Sequence, residues 1–145
     1  MAKILIASDH AGFHLKEELK KHFKSEHEFI DFGPNSSDSV DYPDYAHMLS
    51  QKISESKDSF GILICGSGIG MSMVANRYKD VRAALCLNEK MAQLSREHNN
   101  ANVLVLGSRL ISCEEAIKCL IMFFKSKFEG NRHQARLDKF NDVKM

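Results

Sequence analysis

Short apolar segments that alternate with longer amphipathic ones constrain the fold of this chain more than any other feature. The apolar segments have the length and composition of buried strands, and they are residues 3–7, 28–32, 60–65, 81–87 and 103–107. Helical patterns separate or follow them, at residues 12–24, 43–56, 71–78, 88–98 and 112–128. The strands do not alternate strictly between apolar and polar residues, as expected where both faces of a parallel sheet are buried. This order predicts an α/β fold, a five-stranded parallel sheet in a three-layer α/β/α sandwich.

Length and charge narrow the class of protein further. The chain has 145 residues, which favours one domain over residues 1–145 with a basic and then helical tail at 131–145. Its 20 Lys and Arg against 19 Asp and Glu leave a formal charge of +1, which argues against a nucleic-acid or membrane-surface binder. The first apolar run is too short for a signal peptide or a membrane span, so we expect a cytoplasmic protein.

A glycine-rich turn follows the third predicted strand, at the sheet edge where α/β proteins bind ligands. It reads Cys65-Gly66-Ser67-Gly68-Ile69-Gly70 and leads into a helix. Glycines let backbone amides converge on a ligand oxygen, although a tight strand-to-helix connection needs glycine as well. The G-x-G-x-G spacing matches neither a Walker A loop nor a dinucleotide-binding turn.

Cys65 stands directly before this turn. A thiol at a helix N-terminus ionises more readily than a free thiol and can serve as a base, a nucleophile or a metal ligand. The alternative is a small buried apolar residue that ends a strand. Cys86, Cys113 and Cys119 lie within a predicted strand or helix without comparable polar neighbours, and we assign them to packing. No C-x-x-C pair is present, so reduced thiols are expected.

Polar residues elsewhere could bind an anion. Asp9 and His10 end the first strand, where they could contact hydroxyls and an anion or merely cap the next helix. Arg132 and Arg136 have the i, i+4 spacing of one helix face, which suits a phosphate or an ordinary solvated surface. Arg109, just past the fifth strand, is a third candidate cation.

Two further features complete the candidate list. Tyr42, next to Pro43, could close over a ligand or pack beneath a helix capped by Asp41. His10 and His14 are four residues apart, but no third ligand is evident by spacing, so no metal site is expected.

His98 lies between the fourth helix and the fifth strand. It could act as a general acid near neutral pH, or it could be an ordinary helix C-terminal residue. Because Cys65 ends a strand and His98 precedes one, a parallel sheet places them on opposite edges, about 17 Å apart for a five-residue strand. Their participation in one reaction therefore predicts a site built from two subunits.

Five stretches of the chain, in this order and at these separations, resemble the type B ribose-5-phosphate isomerases and the related galactose-6-phosphate isomerase subunits. The stretches are SDHAG (8–12), DYPDYA (41–46), GILICGSGIG (61–70), LSREHNNANVL (94–104) and GNRHQAR (130–136). The likeness covers nearly the whole chain. It implies a Rossmann-like sheet, a dimeric core and an aldose–ketose isomerase that uses no metal or other cofactor.

The resemblance also implies roles for individual residues. Cys65 would be the proton acceptor and His98 the proton donor that opens the furanose ring. The arginines would bind chiefly the phosphate, and the glycine turn would hold the enediolate oxygen. The implied substrate-binding residues are Asp9, His10, Tyr42, Gly66, Ser67, Gly68, Ile69, Gly70, Asn99, Arg109, Arg132 and Arg136. One branch of the family has a glutamate where Met71 stands here, so the chain resembles the cysteine branch.

The expected partner is a small sugar phosphate, within a homodimer of shared active sites that could pair into a tetramer. An isomerase of a six-carbon phosphate, such as allose or galactose 6-phosphate, is the nearest alternative. A non-catalytic phosphate-binding module would keep the glycine turn and the arginines but would not need Cys65 or His98. A thiol redox protein is disfavoured because Cys65 has no nearby resolving cysteine.

Overall fold

The five predicted strands form one fully parallel sheet in the computed structural model, which describes residues 2–143. The strands are β1 (Ala2–Ser8), β2 (His27–Asp31), β3 (Phe60–Cys65), β4 (Ala83–Leu85) and β5 (Val103–Gly107). They lie in the order β2-β1-β3-β5-β4 and every neighbouring pair is parallel. The predicted sheet is therefore confirmed.

Helices cover both faces of this sheet. They are α1 (Phe13–His22), α2 (Tyr42–Glu55), α3 (Ile69–Ala75), α4 (Glu89–Glu97), α5 (Cys113–Lys125) and α6 (Arg132–Leu137). In β3, Ile62 and Ile64 pack in the core layer that contains α1, α4 and α5. Leu63 and Cys65 pack in the opposite layer, with α2 and α3. Both faces of the strand are thus buried, which confirms the three-layer sandwich and explains the unbroken apolar runs.

The strand order reverses beside β1, because β2 lies on one side of it and β3 on the other. Such a reversal opens a crevice at the carboxyl ends of the two central strands. The start of α1 lies very close to that edge, since a Cβ on Gly12 would be 2.5 Å from the backbone oxygen of Ile64. Ser108 Oγ also donates a hydrogen bond to Ala11 O at 2.8 Å, which joins the ends of β1 and β5.

Some boundaries differ from the sequence pattern. The fourth strand, expected over 81–87, pairs only over Ala83–Leu85 because it lies at the sheet edge and has β5 as its one partner. At its start the side chains of Asn76 and Asn102 bond the backbone amides of Ala83 and Arg82. The tail predicted at 131–145 contains α6, and its last two residues lie outside the described part of the chain. Among residues 2–143, no helix has the length and apolar character that a membrane crossing requires.

Candidate active site

Cys65 ends β3 with its thiol beneath the glycine turn. The side chain is buried, and Sγ accepts a hydrogen bond from the amide of Gly68 at 3.2 Å. Gly68 has a φ of +78°, a left-handed conformation that residues other than glycine rarely adopt. This conformation aims the amide back at the sulfur, and an N–H donor there stabilises negative charge on the thiol. The turn therefore does more than join a strand to a helix.

The same turn offers further donors. The amides of Gly70 and Met71 in the first turn of α3 have no acceptor within residues 2–143. The first N–H groups of a helix lack intrahelical acceptors, so the amide of the half-buried Gly70 is available to a ligand oxygen, whereas Met71 has no exposed surface. The amide of Ile69, by contrast, is occupied by Ser67 Oγ at 3.2 Å.

Tyr42 and Arg109 lie directly against the glycine turn. A Cβ on Gly70 would be 2.7 Å from Tyr42 Oη, so the tyrosine ring fills the space that a side chain would take. A Cβ on Gly66 would be 3.0 Å from Arg109 Nη1. The absence of side chains thus brings a phenol and a guanidinium over the turn. Tyr42 is not packed beneath α2, and Asp41 makes no side-chain capping bond there.

Asp9 and His10 extend the site across the end of β1. Asp9 is buried and its Oδ1 accepts from Gly12 N at 3.0 Å, so it shapes the turn before α1. His10 Nδ1 can donate to the carbonyl oxygen of Val40 at 3.2 Å or accept from the amide of the same residue at 3.1 Å. A neutral ring that accepts the hydrogen bond from the amide carries its proton on Nε2, which leaves that N–H to donate to an anion.

A second cluster forms where α4 ends and α6 begins. The His98 ring stacks on that of His133, with centroids 4.4 Å apart and planes inclined by 17°. Glu129 Oε1 lies 3.8 Å from His98 Nε2 and 3.6 Å from His133 Nε2. The amide of Glu129 donates to Glu97 O at 3.0 Å, which ties the segment before α6 to the end of α4.

The arginines of α6 adjoin this cluster. Arg132 and Arg136 are exposed, and neither makes an ion pair within the part of the chain that the structure describes. Burial lowers the pKa of His133, and the nearby charge of Arg132 lowers it further. Asn99 lines a cavity of about 650 Å³ beside α6, together with Gln134.

The predicted site residues therefore fall into two groups on opposite edges of the sheet. The carboxyl edge holds Cys65, Gly66, Ser67, Gly68, Ile69, Gly70, Asp9, His10, Tyr42 and Arg109. The amino edge holds His98, Asn99, Arg132 and Arg136. The register fixes this division, because Cys65 pairs with Gly107 at the end of β5 whereas His98 precedes the start of that strand.

Sequence reasoning missed the part that Glu129 and His133 take in the second cluster. The signal was present as an i, i+4 Glu–His spacing at the start of a short helix, but such pairs are common on solvated surfaces. Of the other thiols, Cys86 and Cys119 are buried and agree with a packing role, whereas Cys113 is exposed and its assignment to packing was wrong. Burial raises the pKa of Cys86 to about 11 and that of Cys119 to about 12, which keeps both protonated at neutral pH.

The parallel sheet, with its strand order reversing beside β1, defines a Rossmann-like α/β protein. Such proteins bind ligands at the carboxyl edge of the sheet, where Cys65 lies under the glycine turn. The ribose/galactose isomerase family matches residues 4–140. The chain belongs to that family.

Individual relatives agree with this membership over nearly their full lengths. Ribose-5-phosphate isomerase B of Escherichia coli is 40% identical over 144 residues, which cover 99% of this chain and 97% of the relative. A ribose 5-phosphate isomerase structure from Thermotoga maritima superposes with a TM-score of 0.94 at 51% identity, over 97% of this chain and 98% of that one. The Mycoplasma genitalium ribose-5-phosphate isomerase B, solved with bound ribulose 5-phosphate, has a TM-score of 0.91 at 47% identity and covers 95% and 93%.

Proposed function

We propose that this chain interconverts ribose 5-phosphate and ribulose 5-phosphate by moving a proton between carbons 2 and 1. Family membership supports the reaction class, and the Mycoplasma genitalium relative binds ribulose 5-phosphate. The observation that carries the proposal is the thiol of Cys65, which accepts a hydrogen bond from the Gly68 amide inside a turn where the amide of Gly70 has no acceptor among residues 2–143.

Cys65 is the base in this proposal. As a thiolate it takes the proton from carbon 2 of the open-chain aldose, and the electron pair left behind forms the enediolate. The thiol then returns a proton to carbon 1 while the hydroxyl proton on oxygen 2 passes to oxygen 1, which completes the ketose. The free amide of Gly70 stabilises the enediolate oxygen, and a preorganised donor of this kind contributes about 3 kcal/mol.

Ring opening requires an acid at the other end of the substrate. His98 donates a proton to the ring oxygen of the furanose, and Arg132 and Arg136 hold the phosphate. Because these residues lie on the amino edge of their own sheet, they serve the Cys65 of a partner subunit. Arg109 and His10 add positive charge and an N–H donor on the thiol side.

The apolar surface of α3 supports such a dimer. Ile69 and Met73 share one face of this helix and are 47% and 63% exposed, directly beside the glycine turn. A second copy of the chain that covers this face would bury apolar surface and bring its own His98 towards Cys65.

An isomerase assay with ribose 5-phosphate in D₂O tests the proposal. We expect turnover with deuterium incorporated at carbon 1 of ribulose 5-phosphate, because the proton exchanges with solvent while it resides on the thiol. The same assay with allose 6-phosphate measures the six-carbon alternative. Binding of ribose 5-phosphate without turnover or exchange would make the chain a non-catalytic binder and would refute the proposal.

A further inference from the structure

We propose that His98, Glu129 and His133 form a binding site for a divalent transition metal such as Zn²⁺, and that the bound ion inhibits the enzyme by occupying His98. The inhibition rests on the function proposed above, whereas the binding does not. The site would be a regulatory one, since the reaction proposed above has no step that uses a metal ion.

The ligand set and its spacing support this assignment. Two imidazoles and one carboxylate are the three protein ligands found in many zinc sites that keep a fourth position open for water. One ligand atom from each residue lies within 4.8 Å of the others. Bonds of about 2.0–2.1 Å to a tetrahedral ion separate neighbouring ligand atoms by about 3.3 Å. The observed 3.6 Å and 3.8 Å distances from Glu129 Oε1 to the two Nε2 atoms are therefore close to those of a bound state.

His133 supplies independent support for a ligand at this position. Its side chain is 7% exposed, and Nε2 is buried without a hydrogen-bond partner. A buried polar atom that lacks a partner is costly, and bonding to a metal ion would satisfy it. Glu129 Oε1 is too distant at 3.6 Å for a hydrogen bond.

Coordination requires the His98 ring to turn. The two imidazole planes are nearly parallel, and each Nε2 lone pair lies in its own ring plane, so both cannot point at one ion while the rings stack. His98 and Glu129 are 37% and 46% exposed, so both side chains have room to rotate while His133 stays fixed. Once bound, His98 Nε2 can no longer carry a proton to the substrate.

The charge of α6 opposes the ion and provides a further test. Arg132 and Arg136 lie one residue before and three residues after His133 on α6, so their positive charges repel a dication at this histidine. Both guanidinium groups are exposed, so solvent and salt screen this repulsion. Removing the positive charge of Arg132 should therefore strengthen zinc binding, an effect that thiol sites elsewhere would not show.

Zinc affinity should be measured by competition with a fluorescent chelator, in a Cys113→Ser background that removes the exposed thiol. We expect one ion per subunit, and at least about tenfold weaker binding in both Glu129→Gln and His133→Gln. Glu97→Gln is the matched control, because it removes the same charge beside His98 but no ligand of the cluster. We expect it to bind zinc as the parent does, and Arg132→Gln to bind more tightly.

Co²⁺ identifies the ligands directly. A nitrogen and oxygen site should give visible absorption without the near-ultraviolet band of sulfur-to-cobalt charge transfer. Equal metal affinity in Glu129→Gln and the parent, or a sulfur band, would overturn the site. Because Glu129 is exposed, we expect Glu129→Gln to fold. Its zinc affinity therefore tests the site even if His133→Gln does not fold.

Turnover of ribose 5-phosphate in the presence of Zn²⁺ tests the inhibition. The zinc concentration that halves turnover should rise at least about tenfold in Glu129→Gln, in parallel with the loss of affinity. If zinc binds as expected but does not slow turnover, the proposed inhibition is refuted and the proposed binding site is not. An enzyme inactive without zinc would refute the proposed function, and the binding measurements would still decide the site.

Discussion

At the scale of single residues, the chemistry of the carboxyl edge depends on the missing side chains of two glycines. Gly68 adopts a left-handed conformation that returns its amide to Cys65, and Gly70 leaves the space that the Tyr42 ring fills. Cys65 is thus buried and supplied with a donor, beneath a turn whose Gly70 is covered by a phenol. A thiol with these neighbours is suited to exchange a proton with a bound carbon acid.

Replacing Cys65 by alanine tests the role of the thiol. We expect isomerisation to fall about 10²–10⁴-fold, because the general base is lost, while calorimetric binding of ribose 5-phosphate changes little. Cys113→Ser, which alters an exposed thiol outside the turn, should retain parental turnover. Turnover of Cys65→Ala within a few-fold of the parent would remove this residue from the mechanism.

Replacing Gly70 by alanine tests the placement of Tyr42. Alanine suits a helix better than glycine, so the fold should not weaken for conformational reasons, but the new methyl group must displace the tyrosine ring. We expect kcat/KM for ribose 5-phosphate to fall by up to about 100-fold, as small misplacements near a reacting centre can cost. In a Tyr42→Ala background the same substitution should have little further effect. An equal loss in both backgrounds would show that Gly70 acts independently of the ring.

At the scale of elements, a buried ion cluster joins α1 to β2. Lys16 has no exposed surface, and its Nζ lies 2.7 Å from Asp31 Oδ2 and 2.9 Å from Pro34 O. Lys20 Nζ contacts the same carboxylate oxygen at 2.6 Å. Burial alone would raise the pKa of Asp31, but the hydrogen bonds from Lys16 and Lys20 outweigh burial, and the net shift of the pKa is downward.

Asp31→Asn should therefore destabilise the protein by about 3–5 kcal/mol at neutral pH, because it leaves the buried Lys16 with only the exposed Glu17 as an anionic partner. The carboxylate contributes its full stability above the unfolded pKa of about 3.9 and loses it as the pH falls towards the lower folded value. Denaturant unfolding should thus show a difference between parent and variant that shrinks below about pH 4. Glu17→Gln, which alters an exposed partner of Lys16 and Lys20, should cost less than about 1 kcal/mol. A pH-independent difference for Asp31→Asn would contradict this account.

The elements also show what the sequence could and could not predict. The central strands β3 and β5 have the predicted bounds because all their residues except Phe60 are buried, and such an apolar run ends close to where burial ends. The edge strand β4 is shorter than its apolar run, because asparagine side chains replace strand pairing at its start. The burial of Lys16 within α1 could not be predicted, since only the fold brings Asp31 to it.

At the scale of the whole molecule, the parallel topology explains both the success and the limit of the sequence reading. A turn after a strand could be assigned to the ligand-binding edge from chain order alone, and so could the separation of Cys65 from His98. The contacts of Tyr42 and Arg109 with the turn, and of His133 with His98, depend on packing between distant segments. No spacing pattern in the sequence predicts those contacts.

The two-edge arrangement leads to a complementation experiment. In the proposed dimer, His98 of Cys65→Ala and the thiol of His98→Asn would meet, so a mixed dimer would rebuild one complete site and one doubly defective site. Co-expression of the two variants in equal amounts should therefore restore about a quarter of the parental activity, since half of random dimers are mixed and each has one good site of two.

Activity no greater than the mean of the two separate variants would place both residues in the site of a single chain. Such a result would require His98 to reach the opposite edge of its own sheet, against the register of β3 and β5. A matched mixture of Cys65→Ala with Cys65→Ser should restore nothing in either case, because neither chain supplies a thiol. Recovery in the first mixture alone would thus locate the acid and the base on different subunits.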